Sequence, residues 1–370
     1  MAVQSCENAS KKVIAFVPAH NEADCIEQTI MSLVNQTHGN VDVLVISDNS
    51  TDDTVKIARE AECKYDSVHV IETVNNKFKK SGALNFAYRY LGEQLDNYDF
   101  VLTMDGDTVL ASDLIEQAMI EYDLDKKLGV VCSRAGIMKQ PLQTFKEKYL
   151  YHCQYVEYAD FDRDRIGQDR GIKVSHGMCS VYKVAAIRDV MRKRLADNEG
   201  EYCVYKVTNI TEDYELTVTI KEFGYHATTG FGMLAWTDVP LSIKALWMQR
   251  IRWFRGGIDT LWSHGVNRVT AYDIFDHFLF WFLFISQFLL IAWTYQEIQG
   301  GTYSMNKAVY IVIGIMYINN VYTLRYVQEP EIWDYILRIV YIPQVLYTWF
   351  TAAQQLYAYY LFMFKAYQEW

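Results

Sequence analysis

The run Phe100-Val101-Leu102-Thr103-Met104-Asp105-Gly106-Asp107 decides the reading of this chain. Five uncharged, mostly apolar residues read as a buried strand, and two carboxylates separated by one glycine emerge at its C-terminal end. In open α/β sheets that end is where ligands bind. Two acids so placed can hold a hard cation that keeps several waters and takes diphosphate oxygens as its other ligands. Taken alone, Asp105 and Asp107 read more readily as an ordinary turn with two solvated acids, so the surroundings must arbitrate.

Outward from this point, short β-rich runs at 13–17, 41–47, 67–71 and 129–132 alternate with helix-period segments at 51–62, 81–91 and 113–122. Ile26, Ile30, Leu33 and Val34 add an amphipathic helix after the first strand. Such alternation predicts an α/β domain with a mainly parallel sheet flanked by helices. The region 141–240 is more mixed, with a helix expected at 145–158 and a polar Asp/Arg-rich loop at 160–170 on the acceptor-facing side.

Three further clusters bear on chemistry. Asp48-Asn49-Ser50-Thr51-Asp52-Asp53 follows a strand and opens a helix. Asp48 can accept from a base or ribose; equally, Ser50 or Thr51 caps the helix and the acids suit its dipole. Thr211-Glu212-Asp213 offers Thr211 as a cap and two acids in a first helical turn. Such a carboxylate beside a donor pocket is placed to take a proton from an attacking hydroxyl. Gln249, Arg252 and Trp253 stand at i, i+3 and i+4, so one helix face gathers an amide, a guanidinium and an indole. Arginine binds diphosphate bidentately and tryptophan offers a flat face to a sugar. An interfacial helix with snorkelling arginines is the plainer alternative.

The order of these clusters, with Pro18-Ala19-His20-Asn21-Glu22 and Lys80-Ser81-Gly82-Ala83-Leu84-Asn85, resembles the family 2 glycosyltransferases of the GT-A fold over residues 12–257. Within that group it is similar to membrane synthases of the cellulose, hyaluronan and glucosylceramide type. The resemblance implies that Pro18, Glu22 and Asp48 line the nucleotide pocket, with Lys80 near the base or phosphates. It implies Mg2+ or Mn2+ at Asp105 and Asp107, Asp213 as general base, and Gln249, Arg252 and Trp253 closing over the diphosphate and acceptor end. The implied reaction is inverting transfer of a sugar from a nucleotide-diphosphate donor, a UDP-sugar, to a lipid, glycan or protein acceptor. His20 stands where the family often has Tyr, and Asn49 where it often has Asp or Glu, positions that bear on donor selectivity. The Ser175-His176-Gly177-Met178 turn either faces the acceptor or is a simple structural turn.

Composition narrows the setting. An aromatic share of 15% with 28 Tyr suits a membrane or its interface. A net charge of -10 without a dense basic block argues against nucleic acid as a partner. Seven scattered cysteines form no C-x-x-C pair, so a reducing compartment is expected. Residues 278–295 contain no charged side chain and only one strongly polar one, Gln287, which predicts a transmembrane helix. The segments 308–322 and 335–364 are interrupted by polar residues and can span, lie in the interface or pack on protein. Loop charges do not settle orientation; Arg250, Arg252, Arg255 and Arg268, just before the first span, best serve the positive side, and the catalytic domain is expected on the cytoplasmic side.

The expected organisation is a catalytic domain at 1–239, an interfacial helix region at 240–272 and membrane-associated helices at 273–370. Because the catalytic domain begins so early, transfer of one or a few sugars is favoured over processive polysaccharide synthesis. A sugar-nucleotide pyrophosphorylase would need a Gly-rich, Arg-containing first loop, which Pro18 to Glu22 is not. A non-enzymatic nucleotide-binding membrane protein would tolerate loss of Asp213 or Arg252, and both are present.

Overall fold

The computed structural model describes residues 10–301, 307–340 and 342–364. Its centre is an eight-stranded sheet in the order β3-β2-β1-β4-β7-β6-β8-β5. The strands are β1 (Val13–Ala19), β2 (Val41–Ser47), β3 (Val68–Glu72), β4 (Phe100–Met104), β5 (Val109–Leu110), β6 (Leu128–Ile137), β7 (Cys179–Lys183) and β8 (His226–Thr237). β1, β2, β3 and β4 run parallel, as do β6 and β8, while β7 inserts antiparallel between β4 and β6. The α/β expectation is met, and β7 makes the sheet mixed.

β1 explains why its sequence is a continuous apolar run: all seven residues are buried. Val13, Ala15 and Val17 pack into one core with α1 (Ile26–Val34), α2 (Thr54–Lys64) and α4 (Leu114–Leu124). Ile14 and Phe16 face the other way, onto α3 (Lys79–Leu91), α6 (Val184–Ala196) and α7 (Glu212–Glu222). Side chains alternate across a strand, so both faces of β1 need apolar residues once helices cover both. Phe16, fully buried edge-to-face against Tyr88 at 4.9 Å between ring centroids, is a position where truncation to Ala costs about 3–5 kcal/mol.

Two expectations need correction. The Asp/Arg-rich stretch at 160–170 is helical almost throughout: α5 (Phe145–Gln168) opens on a Thr144/Glu147 capping box and runs through it. Its charges are matched along the helix, Arg163 to Asp160 at 3.5 Å and Arg165 to Asp162 at 3.7 Å, and Asp160 also meets Arg338. In the segment 335–364 the described residues are helical, α11 (Ile332–Val340) and α12 (Ile342–Phe364). α2 starts at Thr54 rather than near Thr51, and Asp52 accepts from the Thr54 N–H at 3.0 Å in place of Ser50 or Thr51.

α8 (Ile243–His264) carries the Gln249 to Trp253 cluster, α9 (Ala271–Gln299) follows, and α10 (Lys307–Tyr322) precedes α11. Among the described residues α9 is the helix long and apolar enough to cross a membrane, and none of its most apolar stretch is buried by the protein. α12 packs on α8 through Trp247 with Phe350 and Tyr357.

Candidate active site

The C-terminal ends of β1, β2 and β4 deliver three of the expected groups to one edge of the sheet. Asp105 leaves β4, and its N–H donates to the carbonyl of Met178 at 3.3 Å, tying the strand end to the turn before β7. Gly106 lies flat under the 18–22 loop: a Cβ there would stand 3.0 Å from the Pro18 carbonyl and 3.2 Å from Glu22 Cγ. The close approach explains a glycine between the two acids and brings Glu22 beside them.

Asp107 accepts from Thr237 Oγ1 at 3.3 Å. Burial, then the charges of Asp105 and Glu22, push its carboxyl up to about 7. Burial likewise raises the Glu22 carboxyl, with Asp105 adding to the shift against the lowering effect of its hydrogen bond to Cys25. Lys80, in the first turn of α3, forms an ion pair with Asp105 and lies 3.9 Å from Glu212 Oε1. Burial opposes its charge, but Asp105 and Glu212 outweigh that and hold the ammonium above the usual lysine range.

Asp213 is held from two sides. Its Oδ2 accepts from the Gly177 N–H at 3.1 Å and its Oδ1 from the Tyr214 N–H at 2.8 Å. Thr211 does occupy the N-cap of α7, but its hydroxyl turns to Asn209 Oδ1 at 3.1 Å instead of to a helix N–H. Asn209 in turn donates to Thr260 Oγ1 of α8 at 2.8 Å, which clasps α8 to the Thr-Glu-Asp turn. Next to Gly177, His176 donates through Nε2 to the Ser133 carbonyl at 2.8 Å in its neutral form; burial, aided by Arg165, depresses its pKa to about 3.

The residues expected on the nucleotide side form a neighbouring wall. Asp48 is buried, accepting from Thr73 Oγ1 at 2.7 Å and Asn49 Nδ2 at 3.0 Å. His20 Nδ1 meets the Asp48 carbonyl at 2.5 Å, and Asn21 Oδ1 accepts from the Thr51 N–H at 2.8 Å. Asn21 and Asn49 both have positive φ, 58° and 53°, which asparagine tolerates better than most residues. The loops after β1 and β2 are thereby knitted together, with Pro18 paired to Ile46 in the sheet.

The α8 cluster divides its arginines. Arg252 is exposed and, among the described residues, makes no direct hydrogen bond or ion pair, although its charge reaches Glu212. Arg250 is buried, bonded to Glu157 Oε2 at 2.5 Å and to Gln249 Oε1 at 2.6 Å, with its guanidinium 4.1 Å from the Trp253 ring. Gln249 and Trp253 therefore face Arg250 as much as any open space.

Sequence reasoning passed over Glu212, Gly177 and Arg250. Glu212 stood in the quoted motif, and only its contact with Lys80 gives it weight. Gly177 contributes a backbone N–H, which no side-chain pattern announces. Arg250 was legible: Leu246, Trp247 and Ile251 set the apolar face of α8, and Arg250 falls on it.

Asp105 and Asp107, with Glu22 close by, suit a divalent cation. Carboxylates outnumber the Lys80 ammonium that faces them, and burial, then the charges of Asp105 and Glu22, hold the Asp107 carboxyl at a raised pKa. No three metal-ligating side chains converge among the described residues, so a bound ion would draw its remaining ligands from water and diphosphate.

Comparison with known proteins agrees with this architecture. Residues 14–191 match the family model described as Glycosyl transferase family 2. The poly-beta-1,6-N-acetyl-D-glucosamine synthase of Staphylococcus epidermidis is 26% identical over 262 residues, 69% of this chain and 57% of that one. The protein of the same name from Staphylococcus aureus strain MSSA476 is 25% identical over 283 residues, 76% of this chain and 62% of that one. The chain thus spans less than two thirds of the length of these relatives. The solved structure of mannosyltransferase PcManGT from Pyrobaculum calidifontis, in complex with GDP-Man and Mn2+, shares the fold with a TM-score of 0.59 at 16% identity, covering 97% of this chain and 89% of that one. Sheet, carboxylate edge and these likenesses together give the chain the GT-A fold, with residues 14–191 matching glycosyl transferase family 2.

Proposed function

We propose that the protein moves a sugar from a nucleotide-diphosphate donor, a UDP-sugar, to an acceptor hydroxyl with inversion at the anomeric carbon. The observation that carries this reading is the placement of Asp213: two backbone N–H groups fix its carboxylate on the turn that also bears on Lys80 and Asp105. A carboxylate so oriented takes the acceptor proton as the hydroxyl attacks C1 opposite the leaving diphosphate. One displacement inverts the centre. Pro18, Glu22 and Asp48 line the nucleotide, while Lys80 and Arg252 supply positive charge to the phosphates and Gln249 and Trp253 bound the acceptor end.

Asp105 and Asp107 would hold Mg2+ or Mn2+, which when bound supplies Lewis-acid neutralisation of the departing diphosphate. The Mn2+ reported with the Pyrobaculum mannosyltransferase supports a divalent ion here.

A glycan acceptor is favoured over lipid or protein because the curated relatives are synthases of an N-acetylglucosamine polymer. The same relatives favour a second reading, processive synthesis, over the transfer of one or a few sugars.

The unburied apolar face of α9 supports an integral membrane protein. We place the catalytic domain at 1–239, the interfacial region at 240–272 and the membrane-associated helices at 273–370, ranges whose residues 1–9, 302–306, 341 and 365–370 lie outside those described. A cytoplasmic catalytic face rests on fewer charges than the sequence offered, since Arg250 is buried and Arg255 pairs with Asp259 at 2.9 Å, leaving Arg252 and Arg268.

The test is nucleoside-diphosphate release by the detergent-purified protein, screened over UDP- and GDP-sugars with Mn2+ or Mg2+, beside Asp213→Asn and Asp107→Ala. Metal-dependent release from one donor is expected. It should be abolished by Asp213→Asn with donor binding kept, and by Asp107→Ala with metal-dependent donor binding lost. Unchanged turnover in either variant overturns that residue's role, and product length separates single transfer from polymerisation.

A further inference from the structure

The two donors that fix Asp213 come from separate segments, and both segments are tied to the first two turns of α9. Tyr214, whose N–H donates to Asp213 Oδ1 at 2.8 Å, sends its hydroxyl to Asp273 Oδ2 at 2.7 Å. Tyr214 and Asp273 are 7% and 4% exposed, so the bond is shielded from water. Burial, reinforced by Asp273, holds the phenol well above its usual pKa and keeps it a donor. The second donor, Gly177, closes the segment that begins at Lys173, and Lys173 forms an ion pair with Asp276 and lies 4.0 Å from Asp273 Oδ1. Its ammonium also sits 5.4 Å from the Tyr272 ring. Between the two arms a small apolar cluster of Tyr214, Val218 and Leu261, with Val174, Val269 and Ile274, packs α7, α8 and the start of α9 together.

We propose that the first two turns of α9, through Asp273 with Tyr214 and Asp276 with Lys173, are a positioning element that holds Asp213 in line with the acceptor hydroxyl. Neither aspartate touches the reacting atoms. Asp273 acts by fixing the Tyr214 ring and with it the first turn of α7, and Lys173 acts by fixing the approach to Gly177. None of the most apolar stretch of α9 is buried, although Phe280 and Trp281 touch Tyr359 and Phe288 touches Trp349 of α12, so the surroundings of this helix bear on how its N-terminal end sits. The arrangement explains a buried aspartate at the head of an otherwise apolar helix. It rests on the reading of Asp213 as general base.

The experiment measures donor turnover and sugar transfer by the full chain for the wild type, Tyr214→Phe, Asp273→Asn, Tyr214→Phe with Asp273→Asn, Lys173→Met, Lys173→Arg and Asp213→Asn. Thermal unfolding and donor affinity are recorded for each. Displacing a catalytic group by about 1 Å can cost up to roughly a hundredfold, so Tyr214→Phe and Asp273→Asn should each lower kcat about tenfold or more with KM for the donor within about twofold. The double variant should be no worse than the poorer single one, because the two residues form one link. Lys173→Met should lower kcat and Lys173→Arg should restore it. A kcat within about twofold of wild type for both Tyr214→Phe and Asp273→Asn, or losses that simply follow donor affinity or unfolding, overturns the proposal. If Asp213→Asn stays active the general-base reading fails, whereas an inactive Asp213→Asn beside an active Tyr214→Phe removes the positioning link alone.

Discussion

The N–H of Gly177 donates to Asp213 Oδ2 at 3.1 Å, while the site of its absent Cβ lies 2.7 Å from Lys80 Nζ and 3.7 Å from Asp105 Oδ2. One residue thus orients the proposed base with its backbone and leaves room for the cation beside the acidic motif. Gly177→Ala fills that room. The obstructed atom is the end of a flexible side chain, so the ammonium shifts and the fold survives. Turnover efficiency should fall roughly tenfold with little change in melting temperature. Steady-state kinetics beside a thermal melt checks this; a large fall in melting temperature at full activity would show that the space matters to folding alone.

Arg250 and Arg252 lie two residues apart and should behave oppositely. Arg250 is 1% exposed and paired with Glu157, which Tyr347 also contacts at 2.8 Å. Arg250→Met strands the carboxylate and should destabilise the protein by about 3–5 kcal/mol. Adding Glu157→Gln should recover part of that. Arg252→Ala, at an exposed position, should change stability by no more than about 0.5 kcal/mol yet lower turnover up to roughly a hundredfold. Denaturant unfolding and diphosphate release on both variants decide the matter, and a destabilised, fully active Arg252→Ala contradicts it.

These two arginines also show what local reading can reach. Strands β2 and β4 have the bounds the sequence implied, since apolar runs covered on both faces end sharply where turn residues begin. The acids at 105 and 107 were legible for the same reason: they follow such a run. Residues 160–168 were misread because their charges are matched partly by Thr323 and Arg338, more than 150 positions away, and a charged run looks like a loop until its partners are known. The Gly177 N–H and the Asn209–Thr260 clasp were invisible, since a backbone donor and a buried amide depend on how distant segments meet. The burial of Arg250 was available from helical period alone.

His264 at the end of α8 links to Glu222 at 2.9 Å and Glu215 at 3.3 Å, and Glu215 also bonds to Arg194 Nη2 at 2.5 Å. Burial disfavours the imidazolium, but the two glutamates prevail and raise its pKa to about 9. A folded pKa above the unfolded value of about 6.5 gives stability that is fully present below that pH and is lost as pH rises through about 9. The shift corresponds to something on the order of 3 kcal/mol. His264→Gln should therefore cost most near pH 6 and much less near about pH 9.5. Unfolding free energies at the two pH values test it, and a gap of the same size at both ends the ion-pair account.

Gly256 gives the clearest steric forecast. A Cβ there would stand 2.5 Å from both Oγ1 and Cγ2 of Thr211 and 2.9 Å from its Cβ. Thr211 cannot rotate away freely, because its hydroxyl and N–H are both committed to Asn209 Oδ1. Gly256→Ala therefore separates α8 from the Thr-Glu-Asp turn, costing about 1–3 kcal/mol as an overpacked contact. The same displacement carries Asp213 and Arg252 apart, so transfer should fall by more than donor affinity. Thr211→Gly removes the three atoms nearest the new methyl, and combined with Gly256→Ala it should regain turnover relative to Gly256→Ala alone, despite the loss of the cap residue. That recovery separates a steric effect from a conformational one: if Gly256→Ala acted through the backbone of α8, emptying the facing position would restore nothing.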